Sequence, residues 1–165
     1  MLDVVCDTSV IQYLFQIGLL DLLFTLYQAI SIPKAVANEL AEGRTHGIDL
    51  PDAEAMSRFK VITVSVPQSI QTLKSLGRGE REVLALASAS ADNLVLLDDA
   101  VARHHARKLG LRFTGTLGIL LKAKQSGLII EIRSILDKLE RKGFRLDKRT
   151  RAAMIKLASE TANEA

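Results

Sequence analysis

The chain has 165 residues, a size typical of one domain that buries a continuous core, and its 22 Lys and Arg against 19 Asp and Glu give a formal net charge of +3. Hydrophobic residues make up 48% and charged residues 25%, which excludes an intrinsically disordered class. Aromatic residues make up only 4%, with no Trp, so contact with a nucleic acid would run mainly through its phosphates.

The first half of the chain alternates short apolar runs with amphipathic segments. We expect strands at Leu2–Cys6, Ala29–Ile32 and Val61–Val66, where β-branched residues are frequent. Helical segments are expected at Val10–Phe15, Leu19–Leu26, Lys34–Glu42, Asp52–Phe59 and from Pro67 to Leu76, with a loop at Gly43–Pro51. The pattern predicts repeated strand-helix units.

The second half continues the alternation and then becomes helical. We expect a helix that opens at Glu80, followed by strands at Leu94–Leu97 and Leu111–Thr114 and helices at Ala100–Leu109, Leu117–Ser126, Ile130–Lys142 and Asp147–Glu160. Five strands alternating with helices predict a three-layer α/β/α domain with a mainly parallel five-stranded sheet. We assign residues 1–130 to this domain and residues 131–165 to a helical C-terminal extension packed on it.

Acidic residues stand where predicted strands end. Asp7 follows the first strand and Asp98 the fourth, and functional groups of open parallel sheets gather outside the carboxyl ends of the strands. If these two strands are neighbours, both aspartates converge with Glu80, at a helix start, and Glu39, on the helix after the second strand. Four carboxylates in one cleft repel one another unless a cation lies between them, and oxygen-only ligands suit Mg²⁺ or Mn²⁺.

Each acid also has a simpler explanation. Asp7 and Asp98 are also explained as helix N-caps, and Glu80 as a first-turn acid that complements the helix dipole. Glu39 is also explained as an ordinary glutamate on an exposed helix edge. We expect Asp99 to be a cap or a supporting residue rather than a ligand. Four further residues are not assigned to a site: Thr114 and Thr116 as turn formers, and His104 and His105 because adjacent residues face different sides of a helix.

The order of these motifs resembles the PIN domain, a metal-dependent ribonuclease fold. The resemblance rests on Asp7 in VVCDTSV, Glu39 in AVANEL, Glu80 in GEREVLALA and Asp98, eighteen positions after Glu80. LLDDAVAR, GTLGILLKAKQSGLI and KGFRLDKRT resemble the small prokaryotic VapC-like branch in the same order. Two departures stand out: the third acid is a glutamate instead of the usual aspartate, and Leu97 precedes Asp98 where many relatives have a Thr-X pair.

The resemblance implies a Mg²⁺- or Mn²⁺-dependent endoribonuclease, the toxin of a toxin–antitoxin pair. Asp7, Glu80 and Asp98, with Glu39 directly or through water, would hold one or two ions, and Ser9 would brace Asp7 or a water. The implied partners are an RNA substrate, a small antitoxin and a second copy of the chain. A homodimer face is one explanation of the apolar segment Leu19–Leu26, and core packing explains it equally well.

Basic residues offer contacts for an RNA backbone. Arg78 and Arg103 are the candidates near the predicted rim, while Arg81 and Arg107 are also explained as solvated side chains. The segment 133–156 carries nine Lys and Arg, among them Arg145, and is either a solvated face or a surface for nucleic acid or an acidic partner.

Two other functions stay open. One is a PIN-like fold without catalysis that binds RNA or protein. The other is a receiver-type signalling domain, although that class has its acidic doublet after the first strand, whereas Asp98 and Asp99 follow the fourth. A haloacid-dehalogenase-type phosphatase lacks its second acid here, because Asp7 is followed by Thr8 and Ser9.

The remaining features favour a soluble cytoplasmic protein. Cys6 is the only cysteine, which excludes a disulfide framework and a thiolate zinc site. No basic region followed by an apolar one opens the chain, and the apolar stretch 17–32 is interrupted by Asp21 and Gln28 and too short to span a membrane. We therefore expect no membrane association.

Overall fold

The structure, a computed structural model, describes residues 3–160. Within that range five strands form one sheet: β1 Asp3–Cys6, β2 Ile30–Pro33, β3 Phe59–Ile62, β4 Asn93–Leu96 and β5 Arg112–Thr114. The α-helices are α1 Thr8–Gln16, α2 Asp21–Tyr27, α3 Lys34–Thr45, α4 Gln68–Gln71, α5 Arg78–Ser88, α6 Ala100–Lys108, α7 Thr116–Gln125, α8 Arg133–Arg141 and α9 Lys148–Leu157. Leu2 of the first predicted strand and residues 161–165 lie outside the described residues.

The sheet is parallel throughout and its strand order is β3-β2-β1-β4-β5. With helices on both faces, it confirms the predicted three-layer α/β/α fold. The order reverses between β1 and β4, which pair in register from Asp3 with Asn93 to Cys6 with Leu96. Because receiver domains have the order 2-1-3-4-5, the receiver alternative is excluded. The switch point between β1 and β4 is where ligands of such sheets bind.

The core is aliphatic because the central strands are covered on both faces. Val5, Cys6, Val95 and Leu96 are 2% exposed or less, as expected for strands buried on both sides. Helix α5 packs against β1 and β4 through residues that include Val83. Each fully buried Leu, Ile or Val contributes about 1.5–3 kcal/mol relative to an exposed one. This rigid core fixes the strand ends.

The segment between β2 and α5 differs from the prediction. In place of a helix at Asp52–Phe59 there is one 3₁₀ turn, Ala53–Ala55, which Asp52 caps by accepting from the Ala55 N–H. The third strand is Phe59–Ile62 rather than Val61–Val66, because residues 59–62 pair with residues 30–33 of β2. Helix α3 also continues past Gly43, where the Leu50 side chain packs so closely that a Cβ would collide with it. Long-range pairing and packing override local propensity here.

Helices α8 and α9 follow the last strand and share its core. Leu136, Leu139 and Met154 belong to the same buried cluster as the strand residues. In the loop between these helices, Phe144 makes an edge-to-face contact with Tyr13 of α1, with ring centroids 5.0 Å apart. The loop is thereby held beside the carboxyl end of β1. The expected boundary at residue 130 stays a prediction.

Helix α2 is the apolar segment considered for a homodimer face. Leu22, Leu23 and Phe24 are buried in the core, and Phe24 lies edge-on to Phe59 at 5.1 Å. Core packing therefore accounts for the apolar character of these residues. Over residues 3–160, no single helix is long and apolar enough to cross a membrane; α1 and α2 reach that length only as a pair bent by 119°.

Candidate active site

A cleft of about 730 Å³ opens at the carboxyl end of β1 and β4. All four predicted acids line it, although they come from four different segments of the chain. The lining residues are Asp7, Thr8, Ser9, Gln12, Tyr13, Glu39, Gly77, Glu80, Asp98, Asp99, Ala100, Gly143, Phe144 and Arg145. The fold thus brings the acids together, while their roles stay predictions.

Asp7 is the most deeply placed acid. Its N–H donates to the Leu96 carbonyl at 3.0 Å, which extends the pairing of β1 with β4 by one residue. Asp7 holds the N-cap position of α1, but its side chain makes no capping hydrogen bond. Only 5% of the residue is exposed, and burial, helped by the charges of Glu80, Glu39 and Asp98, raises the pKa of its carboxyl to about 7. Helix capping therefore does not explain why the Asp7 carboxyl is buried next to other acids.

Glu39 reaches the cleft from α3 and is held at the start of α5. The Thr8 hydroxyl donates to its Oε2, and the Gly79 N–H donates to its Oε1 at 3.1 Å. A Cβ at residue 79 would collide with the Glu39 carboxylate, so only glycine leaves room for this contact. The N-terminus of α5 favours a negative charge at this place because its N–H groups and dipole face it.

Glu80 lies in the first turn of α5 and is half-buried. Its Oε2 accepts from the Gly77 N–H at 3.0 Å, the reciprocal half of a capping box. Burial raises the pKa of its carboxyl, and the charges of Asp99 and Glu39 act in the same direction. The first-turn explanation thus accounts for the hydrogen bond of Glu80, while its place in the cleft beside Asp7, Glu39 and Asp98 goes beyond that explanation.

Asp98 and Asp99 have different tasks. The Asp98 Oδ1 accepts from the Thr116 N–H and its Oδ2 from the Thr116 hydroxyl, both at 2.7 Å, so Asp98 caps α7 and not the helix that follows it. Asp99 is the N-cap of α6, where it accepts from the Ala102 N–H at 2.9 Å. Thr116 is fully buried and fixes the orientation of the Asp98 carboxylate.

Three other predicted residues have distinct placements. Ser9 lines the cleft, but no hydrogen bond of the described residues joins it to Asp7. Arg78 pairs with Glu82 at 3.1 Å and lines a different groove, outside the cleft. Arg103 lies just beyond Asp98, where its Nε donates to the Leu97 carbonyl at 2.7 Å.

Sequence patterns do not place Thr116, Phe144 or Arg145 beside the acids, although Arg145 belongs to the basic segment 133–156 that is one candidate surface for nucleic acid. The sequence predicts Thr116 as a turn former, although the Gly-Thr step before a predicted helix is also a signal for a hydroxyl at a helix start. Phe144 and Arg145 come from the loop between α8 and α9, far from the acids in sequence. The KGFR motif that carries the family resemblance was the available signal for them.

The chemistry of the four acids fits a divalent cation, but their side chains are not arranged around one common point. In the part of the chain that the structure describes, no Lys or Arg lies within 4.0 Å of these carboxylates, and all four supply only oxygen. No three of the acidic, His or Cys side chains within residues 3–160 are arranged to hold one metal ion. Glu39, Glu80 and Asp98 instead each accept hydrogen bonds from protein donors.

A comparison with known protein families assigns the chain to a class. Residues 3–160 match the model of a family described as a PIN domain. The chain therefore belongs to the PIN domain family, whose members are generally nucleases that usually use divalent metals. No curated protein matches the chain significantly.

Proposed function

We propose that the protein is a Mg²⁺- or Mn²⁺-dependent endoribonuclease of the VapC-like branch. One observation supports this above the others: acids from four segments of the chain line one cleft at the switch point of a parallel sheet. No basic side chain of residues 3–160 lies within ion-pair distance of these acids, so a bound divalent cation would offset their mutual repulsion when all four are ionised.

Asp7, Glu39, Glu80 and Asp98 would hold the ion. When bound, a divalent cation lowers the pKa of a water molecule and offsets negative charge on the phosphodiester. The chain's own part is to position the carboxylates that would hold this ion. Asp7 is placed by its β1–β4 hydrogen bond, and Asp98 by the two donors of Thr116. Glu39 and Glu80 approach from α3 and α5, and the extra methylene of Glu80 extends its reach into the cleft.

An alternative is a PIN domain that binds RNA without cleaving it. It is favoured by the hydrogen bonds that occupy Glu39, Glu80 and Asp98 and by the absence, within residues 3–160, of three ligands gathered around one point. Cleavage assays separate the two functions, since binding alone leaves the RNA intact in every metal.

The test is cleavage of a mixed RNA pool with Mg²⁺, with Mn²⁺ and with EDTA. We expect cleavage with either metal, none with EDTA, and a severe loss in Asp7→Asn and Asp98→Asn. Asp92→Asn is the matched control, because Asp92 is exposed and pairs with Arg112 away from the cleft. Undiminished cleavage by either site variant would remove the site assignment. Intact RNA under all conditions, with RNA still bound, would favour the alternative.

The toxin role and its partners are part of the same proposal. A VapC-like toxin acts with a small antitoxin and as a homodimer, and we expect both of this protein. Co-expression with the product of a small neighbouring gene should relieve growth arrest caused by the wild-type chain, and Asp98→Asn should cause none. Arrest that persists in Asp98→Asn would contradict the toxin role.

A further inference from the structure

A second cavity, of about 370 Å³, opens beside the acid cleft. It shares Asp98, Phe144 and Arg145 with the cleft, so the two spaces adjoin each other at these residues. Its other lining residues are Arg103, Phe113, Thr114, Gly115, Leu117 and Gly118. An extended chain lying in the cleft therefore has a direct path into this cavity.

The charge of this cavity is opposite to that of the acid cleft. Arg103 and Arg145 face one carboxylate, Asp98, whose two oxygens already accept from Thr116. Arg145 is exposed and has no acidic partner within 4.0 Å over residues 3–160. An unpaired guanidinium has five N–H donors in a planar fork that matches a phosphate. The guanidinium groups of this cavity therefore attract a phosphate, whereas the carboxylates of the acid cleft repel one when no cation is bound.

Arg103 is held in place while its outer donors stay available. Its Nε donates to the Leu97 carbonyl, and its guanidinium lies 5.4 Å from the centroid of the Phe113 ring. A Cβ at residue 115 would collide with both the Arg103 guanidinium and the Asp98 carboxylate, so Gly115 makes this close approach possible. The φ of residue 115 is −120°, which any residue adopts, so space and not backbone conformation requires the glycine.

Aromatic side chains complete the lining. Phe113 forms one wall, and Phe144, held by its contact with Tyr13, stands where the two spaces meet. An anion that carries a flat apolar group suits a cavity of guanidinium groups and phenyl rings, and a nucleotide has that chemistry.

We propose that this cavity, the basic subsite, binds the nucleotide next to the bond that the acid cleft hydrolyses, with Arg145 pairing with its phosphate. The inference rests on the proposed function for the position of that bond. It gives the loop between α8 and α9 a direct part in holding single-stranded RNA.

The test measures binding apart from cleavage. Fluorescence anisotropy in EDTA, with a short fluorescein-labelled single-stranded RNA of mixed sequence, is recorded over a salt series. Arg145→Gln should bind about tenfold more weakly at low salt, and the slope of log K against log salt should fall by about 0.7, the value for one phosphate contact of a single strand. Arg145→Lys keeps the charge but not the fork and should fall in between.

Arg149→Gln is the matched control, because Arg149 is exposed on α9, carries the same charge and lines neither the cleft nor the basic subsite. A cleavage assay in Mg²⁺ gives the second readout: Arg145→Gln should raise KM about tenfold and change kcat little, as expected when binding is lost equally in the ground and transition states.

The outcomes separate this inference from the proposed function. Equal affinity and salt slope in Arg145→Gln and Arg149→Gln would overturn the basic subsite, even if the wild type cleaves RNA. A wild type that binds no RNA would also overturn it. An Arg145→Gln variant that binds RNA normally but no longer binds a poly-glutamate peptide would overturn it too, and would indicate a protein partner. Loss of RNA binding in Arg145→Gln without cleavage by the wild type would support the subsite and reject the proposed nuclease activity.

Discussion

The four acids of the cleft fall into two pairs that are positioned by different means. Asp7 and Asp98 follow adjacent strands, and their short side chains are placed by the sheet and by the donors of Thr116. Glu39 and Glu80 project from helices, and their long side chains rest on backbone N–H groups at the start of α5. The two aspartates, the strand-end pair, have short side chains with few rotamers, whereas the two glutamates, the helix pair, have one more rotatable bond each.

This difference suggests a division of labour. Under the proposed function, the strand-end pair would set the position of a bound cation, and the two glutamates would reach it only by giving up their hydrogen bonds to the α5 N–H groups. The strand-end pair should therefore be the more sensitive to substitution, and the contacts that hold the helix pair should tune activity without being essential to it.

The largest expected effect is the loss of a strand-end carboxylate. Asp7→Asn or Asp98→Asn should lower the rate of RNA cleavage by roughly a thousandfold, because several kcal/mol of metal-assisted stabilisation are lost. Glu39→Gln and Glu80→Gln should cost roughly ten- to a hundredfold. Single-turnover rates in Mg²⁺ measure this, with Glu54→Gln, which removes an exposed acid paired with Lys34, as the control. Equal losses at all four positions would contradict the division.

The sequence predicts the position of a site residue where local patterns determine it, and fails where long-range packing determines it. Apolar runs predict the strands, and the helix-start signals after them predict where the strands end. Because the strands are parallel, Asp7 and Asp98 then lie at one edge of the sheet. The pairing of Glu39 with the Gly79 N–H joins residues forty positions apart in sequence through a packing contact that no local pattern encodes. Arg145 reaches the cleft for a similar reason, since Phe144 packs on Tyr13.

The next effect concerns the support of Asp98. Thr116→Val keeps the side-chain shape but removes the hydroxyl that donates to Oδ2, which leaves that oxygen without its side-chain donor. We expect affinity for Mn²⁺, measured by calorimetry, to fall roughly ten- to a hundredfold, as for other residues that orient a metal ligand. Thr116→Ser retains the hydroxyl and should restore most of the affinity. A Thr116→Val variant that binds Mn²⁺ like the wild type would show that the hydroxyl does not position Asp98.

A smaller effect is expected at the contact between the Glu39 carboxylate and the Gly79 N–H of α5. Gly79→Ala would displace the Glu39 carboxylate, whereas a Cβ at Gly77 meets no atom within 4 Å. Because alanine favours helices by about 1 kcal/mol over glycine, Gly79→Ala should not lower the melting temperature. We expect its cleavage rate to fall several-fold, with Gly77→Ala near the wild type. Equal rates in the two variants would show that Glu39 acts without its contact to the Gly79 N–H.

The last prediction is on stability rather than activity and concerns Asp7 alone. Its pKa is about 7 in the folded protein against 3.8 as the ordinary value, so folding favours the protonated form. The stability from this group is fully present below pH 3.8 and is lost as the pH rises through about 7. At about 1.4 kcal/mol per pH unit, the metal-free protein should lose roughly 2–3 kcal/mol between pH 5 and pH 8 through Asp7.

Asp7→Asn lacks this titration. In EDTA, the melting temperature of the variant minus that of the wild type should therefore be roughly 5–10 °C larger at pH 8 than at pH 5. Because a divalent cation offsets the charge that burial penalises, Mg²⁺ should remove much of this gain by stabilising the wild type at pH 8. Differential scanning calorimetry of both proteins at each pH, with EDTA and with Mg²⁺, measures both effects. A difference between the two proteins that is independent of pH would mean that the Asp7 carboxylate is already compensated by the fold, and a cation would then not be needed to keep it ionised at the bottom of the cleft.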